Sequence, residues 1–283
     1  MMFKNINIKS IMIFIVIIII FAFGAVNWYL NRQTKTDIVP EKIKIGWPVP
    51  ITGPLASFGE ADPWLASYVT KVVNEDQGGI YLAEYNKKIP IEIVIRDTKS
   101  DSEYAKTVAE DLIVKEKVDM MVVLHTPDTT LPVSAMCEKY HVPCVVFDTP
   151  VLAWLQGAPY DWSFLHFWTE PDAVQVYIGM WDQIKDSTNL RAGGLWSNDL
   201  DGITFRNATI KIAEDSGYNF VGDEGLYDLA TTEDYTPYIN DLIKKDVELF
   251  AGVFPPPHFA TFWRQCREMG FHPKVATVAK ALL

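Results

Sequence analysis

Apolar residues fall into two regimes along this chain. From Ile11 to Val26 they form one unbroken run, and beyond residue 42 they recur in short bursts between amphipathic stretches. Ile43 and Ile45 alternate with lysines and open the segment IKIGWPVPITGPLASFGE. This is a short strand followed by a Gly/Pro-rich turn that brings Ser57 and Phe58 to a helix start at Asp62-Pro63. That helix stops at the glycines of NEDQGG, residues 74–79. Strands are then predicted at 91–95, 120–124 and 142–147, with helices at 104–117 and 130–140 between them. The β-α-β-α-β order implies a parallel sheet with helices on both faces. Between Thr149 and Pro171 the pattern breaks into an aromatic segment, VLAWLQGAPYDWSFLHFWTE at its heart. Alternation resumes with helices at 172–185, 202–216, 237–245 and 258–269, and strands at 192–196, 219–221, 248–253 and 275–278. The expected class is α/β: two lobes at 43–149 and 150–283, each a parallel sheet flanked by helices, with a cleft between them. Lys280 to Leu283 follow the last strand directly, where a parallel sheet calls for a covering helix, so the expected fold is incomplete at that end.

The N-terminal run has Lys4 and Lys9 before it and Trp28-Tyr29 after it. That is the layout of a secretory signal or an uncleaved membrane anchor, over residues 1–30. Ala22-Phe23-Gly24 is a small-x-small cleavage site, and no cysteine follows the run closely enough for lipidation. Residues 31–42 read as a linker, and the rest of the chain as exported. Net charge is −11 over the whole chain. Residues 1–42 hold five Lys/Arg against two Asp/Glu, so the remainder carries −14. An acidic body of this kind argues against nucleic acid or anionic lipid as a partner. Cys137, Cys144 and Cys266 lie in or beside apolar elements without metal or CxxC spacing, as small buried hydrophobes do.

The chain has no GxSxG, HExxH, P-loop or GxGxxG. No catalytic residue, cofactor or metal is expected. Asp199-Leu200-Asp201 has two readings, helix-capping acids before Gly202 or the metal-binding DxD of a nucleotide-sugar transferase. A calcium loop fails, because its twelfth position is Ala208. His125 ends a strand and opens HTPDTT, whose polar residues either cap the next helix or offer hydroxyls and N–H groups to an anion. Asp148-Thr149 holds the equivalent place after the next strand. Trp154, Trp162, Phe167 and Trp168 are core residues or cleft liners.

Taken together, IKIGWPVPITGPLASFGE, NEDQGGI, IEIVIRDTKSD and EKYHVPCVVF, with TFWRQCREMGFHPK further on, resemble the leucine/isoleucine/valine-binding branch of ABC-transporter solute-binding proteins. The resemblance covers about 240 residues. It implies a type I periplasmic-binding fold whose lobes close on a small ligand, with an ABC permease as partner and a monomeric subunit. It places ligand contacts at Ser57 and Phe58, at Thr126, Asp128 and Thr129, at Asp148 and Thr149, and on the second lobe at Asp201 and Lys280. Pro127 occupies the usual serine position, and Ala279-Lys280 the place of the acid that pairs with a ligand ammonium. The expected ligand is therefore small and polar: amino-acid-like, an amide or an organic acid, with Asp128, Asp148 and Asp201 also suiting a cationic group. A sensory ectodomain of the same fold is the alternative role, and a metal-dependent glycosyltransferase the remote one.

Overall fold

The computed structural model describes residues 39–222 and 225–281. The expected signal or anchor lies outside them, and among the described residues no helix is long and apolar enough to cross a membrane. The chain runs β1 (Ile43–Val49), α1 (Ala56–Gly59), α2 (Asp62–Lys71), β2 (Ile80–Leu82), β3 (Lys87–Ile89), β4 (Ile91–Asp97), α3 (Ser102–Val114), β5 (Met120–Val123), α4 (Pro127–Tyr140), β6 (Cys144–Phe147), α5 (Val151–Trp154) and β7 (Ser163–His166). It continues as α6 (Glu170–Asp182), β8 (Arg191–Ser197), α7 (Leu200–Asp215), β9 (Asn219–Gly222), β10 (Leu226–Tyr227), α8 (Thr236–Lys244), β11 (Leu249–Val253), α9 (Pro256–Met269) and β12 (Val275–Ala279).

The first sheet has the order β4-β1-β5-β6-β7, parallel throughout. Its strands are apolar on both sides, so both faces need cover. On one face Leu65 and Ala66 of α2 pack on Trp47, Val49, Ile93 and Ile95. On the other, Val108 and Leu112 of α3 and Val133 and Cys137 of α4 pack on Met121, Val123, Cys144 and Val146. The second sheet has the order β10-β8-β11-β12, with β9 also paired to β8. α6 and α7 cover one face with Val174, Ile178, Trp181 and Phe205. α8 and α9 cover the other with Ile239, Leu242, Phe262 and Cys266. All three cysteines are free and buried, in keeping with their apolar surroundings. β2 and β3 form a separate two-stranded hairpin, closed by a 2.9 Å bond from the Tyr81 hydroxyl to Asn86 Oδ1.

Besides the β2–β3 hairpin and β10, which periodicity did not predict, two departures bear on the site. The segment expected to be irregular contains α5 and β7, so the first sheet extends beyond residue 149. β7 escapes recognition because it is an edge strand of inverted polarity: Ser163 is 4% exposed and Phe164 61%. Helix α4 starts at Pro127 rather than Thr130. Proline suits the first helical position, where no N–H is needed, and there it begins a helix instead of breaking one.

Candidate functional site

In parallel sheets, ligands gather beyond the carboxyl ends of the strands, where loops and helix N-termini converge. The turn after β1 is the most heavily anchored of these loops. Asp97, at the end of β4, accepts N–H bonds from Ile51 at 3.0 Å, Thr52 at 3.2 Å and Lys99 at 2.8 Å, and a hydroxyl bond from Thr52 at 2.6 Å. Burial would raise its pKa, but these four donors outweigh burial and hold it below the usual carboxylate range. Ser100 adds bonds to Thr52 O and from Leu55 N. Gly53, at φ 91°, lies where a Cβ would stand 2.6 Å from Lys99 O. The loop thus held delivers Phe58 to the cleft, only 6% exposed.

Phe58 lines a cavity of about 450 Å³. Asp148 and Pro150 contribute from the end of β6, Phe167 and Trp168 from the end of β7, and Ala279 and Lys280 from the end of β12. Helix α6 adds Asp172, Ala173, Val176 and Tyr177, and α7 adds Phe205. The wall is therefore mostly aromatic and aliphatic, with three charged side chains. Trp168 meets Phe205 edge-to-face at 5.7 Å, which joins the edge of the first sheet to a helix of the second. Burial pushes the Tyr177 hydroxyl up to about 12, so it is a neutral hydrogen-bonding group at physiological pH.

Within and behind this wall lies an ionic layer. His125 is 8% exposed and bonds Asp62 Oδ2 through Nε2 at 2.7 Å, while its Nδ1 lies 3.7 Å from Asp148 Oδ2. Burial opposes its protonation, but the Asp148 and Asp62 carboxylates prevail and its pKa is raised. Lys280 pairs with Asp201, which is 1% exposed, and its ammonium stands 5.6 Å over the Phe58 ring. Desolvation pulls the lysine below its ordinary pKa despite the Asp199, Asp148 and Asp128 charges around it. Asp128 is pushed up by its own burial and then by Asp199, against the pull of Lys280. His125, Asp148 and Lys280 all have left-handed backbones, at φ 82°, 54° and 65°. Strained conformations at three strand ends around one cavity are the kind of feature that clusters at ligand sites.

Of the sequence-predicted site residues, Phe58, Asp148 and Lys280 line the cavity, and the others do not. Thr149 is fully buried, with its hydroxyl donating to His125 O at 2.7 Å and lying 2.9 Å from the Thr130 hydroxyl. It therefore ties two loops together. Thr126 and Thr129 are 3% and 1% exposed. Thr126 begins α4 with its carbonyl, which accepts the Thr129 and Thr130 N–H groups, while its hydroxyl finds no partner. The Ser57 hydroxyl is likewise buried and unbonded. Asp128 lies half-buried in the first turn of α4, and Asp201 is committed to Lys280. Asp199 is the N-cap of α7, accepting from Gly202 N at 2.7 Å and Ser197 Oγ at 3.0 Å. That is the capping role for the first acid of the Asp-Leu-Asp motif, and Gly202 is required there because a Cβ would stand 2.0 Å from Ser197 O.

Sequence reasoning missed Asp62, the pairing role of His125, and the Tyr177 and Phe205 parts of the aromatic wall. Of the four aromatics singled out, Phe167 and Trp168 line the cavity, Trp154 is core, and Trp162 packs beside His141. The signal that could have found the wall was position, because Phe167 and Trp168 directly follow a strand.

Two parallel α/β lobes with a cavity at their facing strand ends define a type I periplasmic-binding fold. The family model described as periplasmic binding protein matches residues 42–283, and the chain belongs to that family. Among solved structures, it is similar to a leucine-binding protein from Thermotoga maritima, at 18% identity and a TM-score of 0.69, covering 84% of this chain and 64% of that one. A branched-chain amino acid transporter substrate-binding protein from Streptococcus pneumoniae, in complex with isoleucine, gives 20% identity, a TM-score of 0.69 and coverage of 84% and 64%. An ABC-transporter solute-binding protein from Rhodopseudomonas palustris, in complex with 3,4-dihydroxybenzoic acid, gives 19%, 0.66, and coverage of 84% and 61%. The chain thus spans less than two thirds of the length of each. No curated protein matches it.

Proposed function

We propose that this chain is the extracytoplasmic solute-binding component of an ABC importer, of the leucine/isoleucine/valine-binding branch, tethered through its N-terminal hydrophobic run. It captures one small polar solute in the cavity between the two sheets and presents the closed form to a membrane permease as a monomer. The observation that carries this reading is the roughly 450 Å³ cavity to which the ends of β6, β7 and β12 and helices α6 and α7 all contribute. Membership in a family of binding proteins supports it, as do solved neighbours holding isoleucine and dihydroxybenzoate at the same fold level. Phe58 supplies a face, Asp148 and Lys280 supply charge, and the hydroxyls behind them set the loops.

Closure follows from differential binding. A solute touching both lobes favours the closed arrangement by as much as its affinity differs between the two states. The test is a thermal-shift screen of the full chain against amino acids, amides, polyamines and organic acids. A ligand at a hundred times its Kd adds about 2.7 kcal/mol, so one class should raise Tm by several degrees. Phe58→Ala should reduce that rise. A panel without any effect, or a rise that Phe58→Ala leaves intact, would remove the cavity from the account.

A further inference from the structure

We propose that the solute carries an ammonium group on an apolar, ring-sized body, and that the cavity selects against free carboxylates. This rests on the reading of the cavity as the solute site.

The first observation is how the helix N-termini are arranged. A helix N-terminus attracts anions through its free N–H groups and its dipole. Here α4, α6 and α7 each carry their own carboxylates in the first turn: Asp128 on α4, Glu170 and Asp172 on α6, and Asp201 on α7, where Asp199 is also the cap. Pro127 removes one N–H from the start of α4, and the Thr126 carbonyl occupies those of Thr129 and Thr130. Of the three, α6 brings its first turn, Asp172 and Ala173, into the cavity lining, and there a ligand carboxylate finds the terminus already neutralised.

The second observation is the charge left facing the cavity. Among the described residues, Lys280 is the one basic residue in its lining, and its ammonium is held by Asp201. Asp148 and Asp172 are the acids in the lining. Asp172 accepts from Thr169 in the α6 capping box, whereas Asp148 is 45% exposed and 3.7 Å from His125 Nδ1, beyond hydrogen-bond length. An acid approaching Lys280 meets the field of Asp128, Asp148 and Asp199. An ammonium approaching Asp148 does not meet an uncompensated cation.

The third observation is the wall. Phe58, Phe167, Trp168, Tyr177 and Phe205 surround the same space. Aromatic faces attract cations within about 6 Å of the ring centroid, and the Phe58 face already holds the Lys280 ammonium at 5.6 Å. An aromatic wall beside a half-free carboxylate is a cation site with an apolar pocket attached.

The experiment is calorimetric titration of the full chain at pH 7 with phenethylamine, 3-phenylpropionate, phenylalanine and 4-hydroxybenzoate. Phenethylamine is expected to bind at least tenfold more tightly than 3-phenylpropionate or 4-hydroxybenzoate. Asp148→Asn should weaken phenethylamine tenfold or more while leaving the circular-dichroism spectrum unchanged, since asparagine tolerates the left-handed backbone at this position. Tighter binding by either carboxylate or by the zwitterion overturns the inference. So does phenethylamine binding that ignores Asp148→Asn, or an absence of phenethylamine binding. If another class in the wider screen then binds the cavity, the solute-binding role stands and only the ammonium preference falls. If nothing binds, both fall.

Discussion

At the level of single residues, the site is governed by two bases in acidic surroundings, His125 buried and Lys280 half-buried. Lys280 and Asp201 hold each other in a place where either charge alone would be expensive to bury. His125 does the same for Asp62, while Asp148 stands near its other nitrogen. The sign of its pH dependence follows directly. Its pKa is raised in the folded protein, so its contribution to stability is fully present below its unfolded value of about 6.5 and is lost as pH rises through the folded one. Comparing wild type with His125→Asn by chemical denaturation between about pH 6 and pH 9 checks this, because asparagine removes the titration and tolerates the backbone. The stability gap should be widest at the acid end and narrow as pH rises. A gap that is constant or grows with pH would contradict the assigned network. From sequence, Asp148 and Lys280 were legible as charges at strand ends, but which base each acid serves was not. Asp62 and His125 are far apart in the chain, and only the packing of α2 against the first sheet brings them together.

At the scale of elements, the cavity wall depends on a clamp that no motif announces. Glu170 is fully buried at the first position of α6, and its carboxylate accepts the N–H groups of Leu152 at 2.9 Å and Ala153 at 3.0 Å. The Val151 N–H reaches Trp168 O at 3.2 Å. These bonds fix α5 against the start of α6 and so aim Pro150 and Trp168 at the cavity. Glu170→Ala leaves two N–H groups at α5 unsatisfied and is expected to cost about 2–4 kcal/mol by urea unfolding, with Glu170→Gln recovering part of the loss. A cost below about 0.5 kcal/mol for the alanine variant would show that α5 does not need the clamp. Most strands and helices were readable from periodicity because their buried faces are apolar, as with Val108 and Leu112 on α3. β7 was not, since it presents Phe164 to solvent and Ser163 to the interior. The start of α4 was misjudged because Pro127 serves as a helix opener and a strand-end breaker alike.

At the scale of the whole molecule, two sheets with separate cores border one cavity, where Trp168 packs on Phe205 and the Lys280 ammonium stands over Phe58. Separate cores of this kind suit lobes that change their separation when a solute joins them. The α/β class and the two-lobed plan were legible in the alternation of elements. The cavity's character was not, because its aromatic wall is assembled from the end of β7, the first half of α6 and the middle of α7. A solute that occupies this cavity is expected to engage both lobes together. Hydrogen-exchange mass spectrometry of the full chain, with and without the solute that raises Tm, decides whether it does. Protection is expected to rise together in peptides covering residues 55–60, 148–153, 167–177 and 278–281. Protection confined to one lobe, or appearing only elsewhere on the surface, would contradict it.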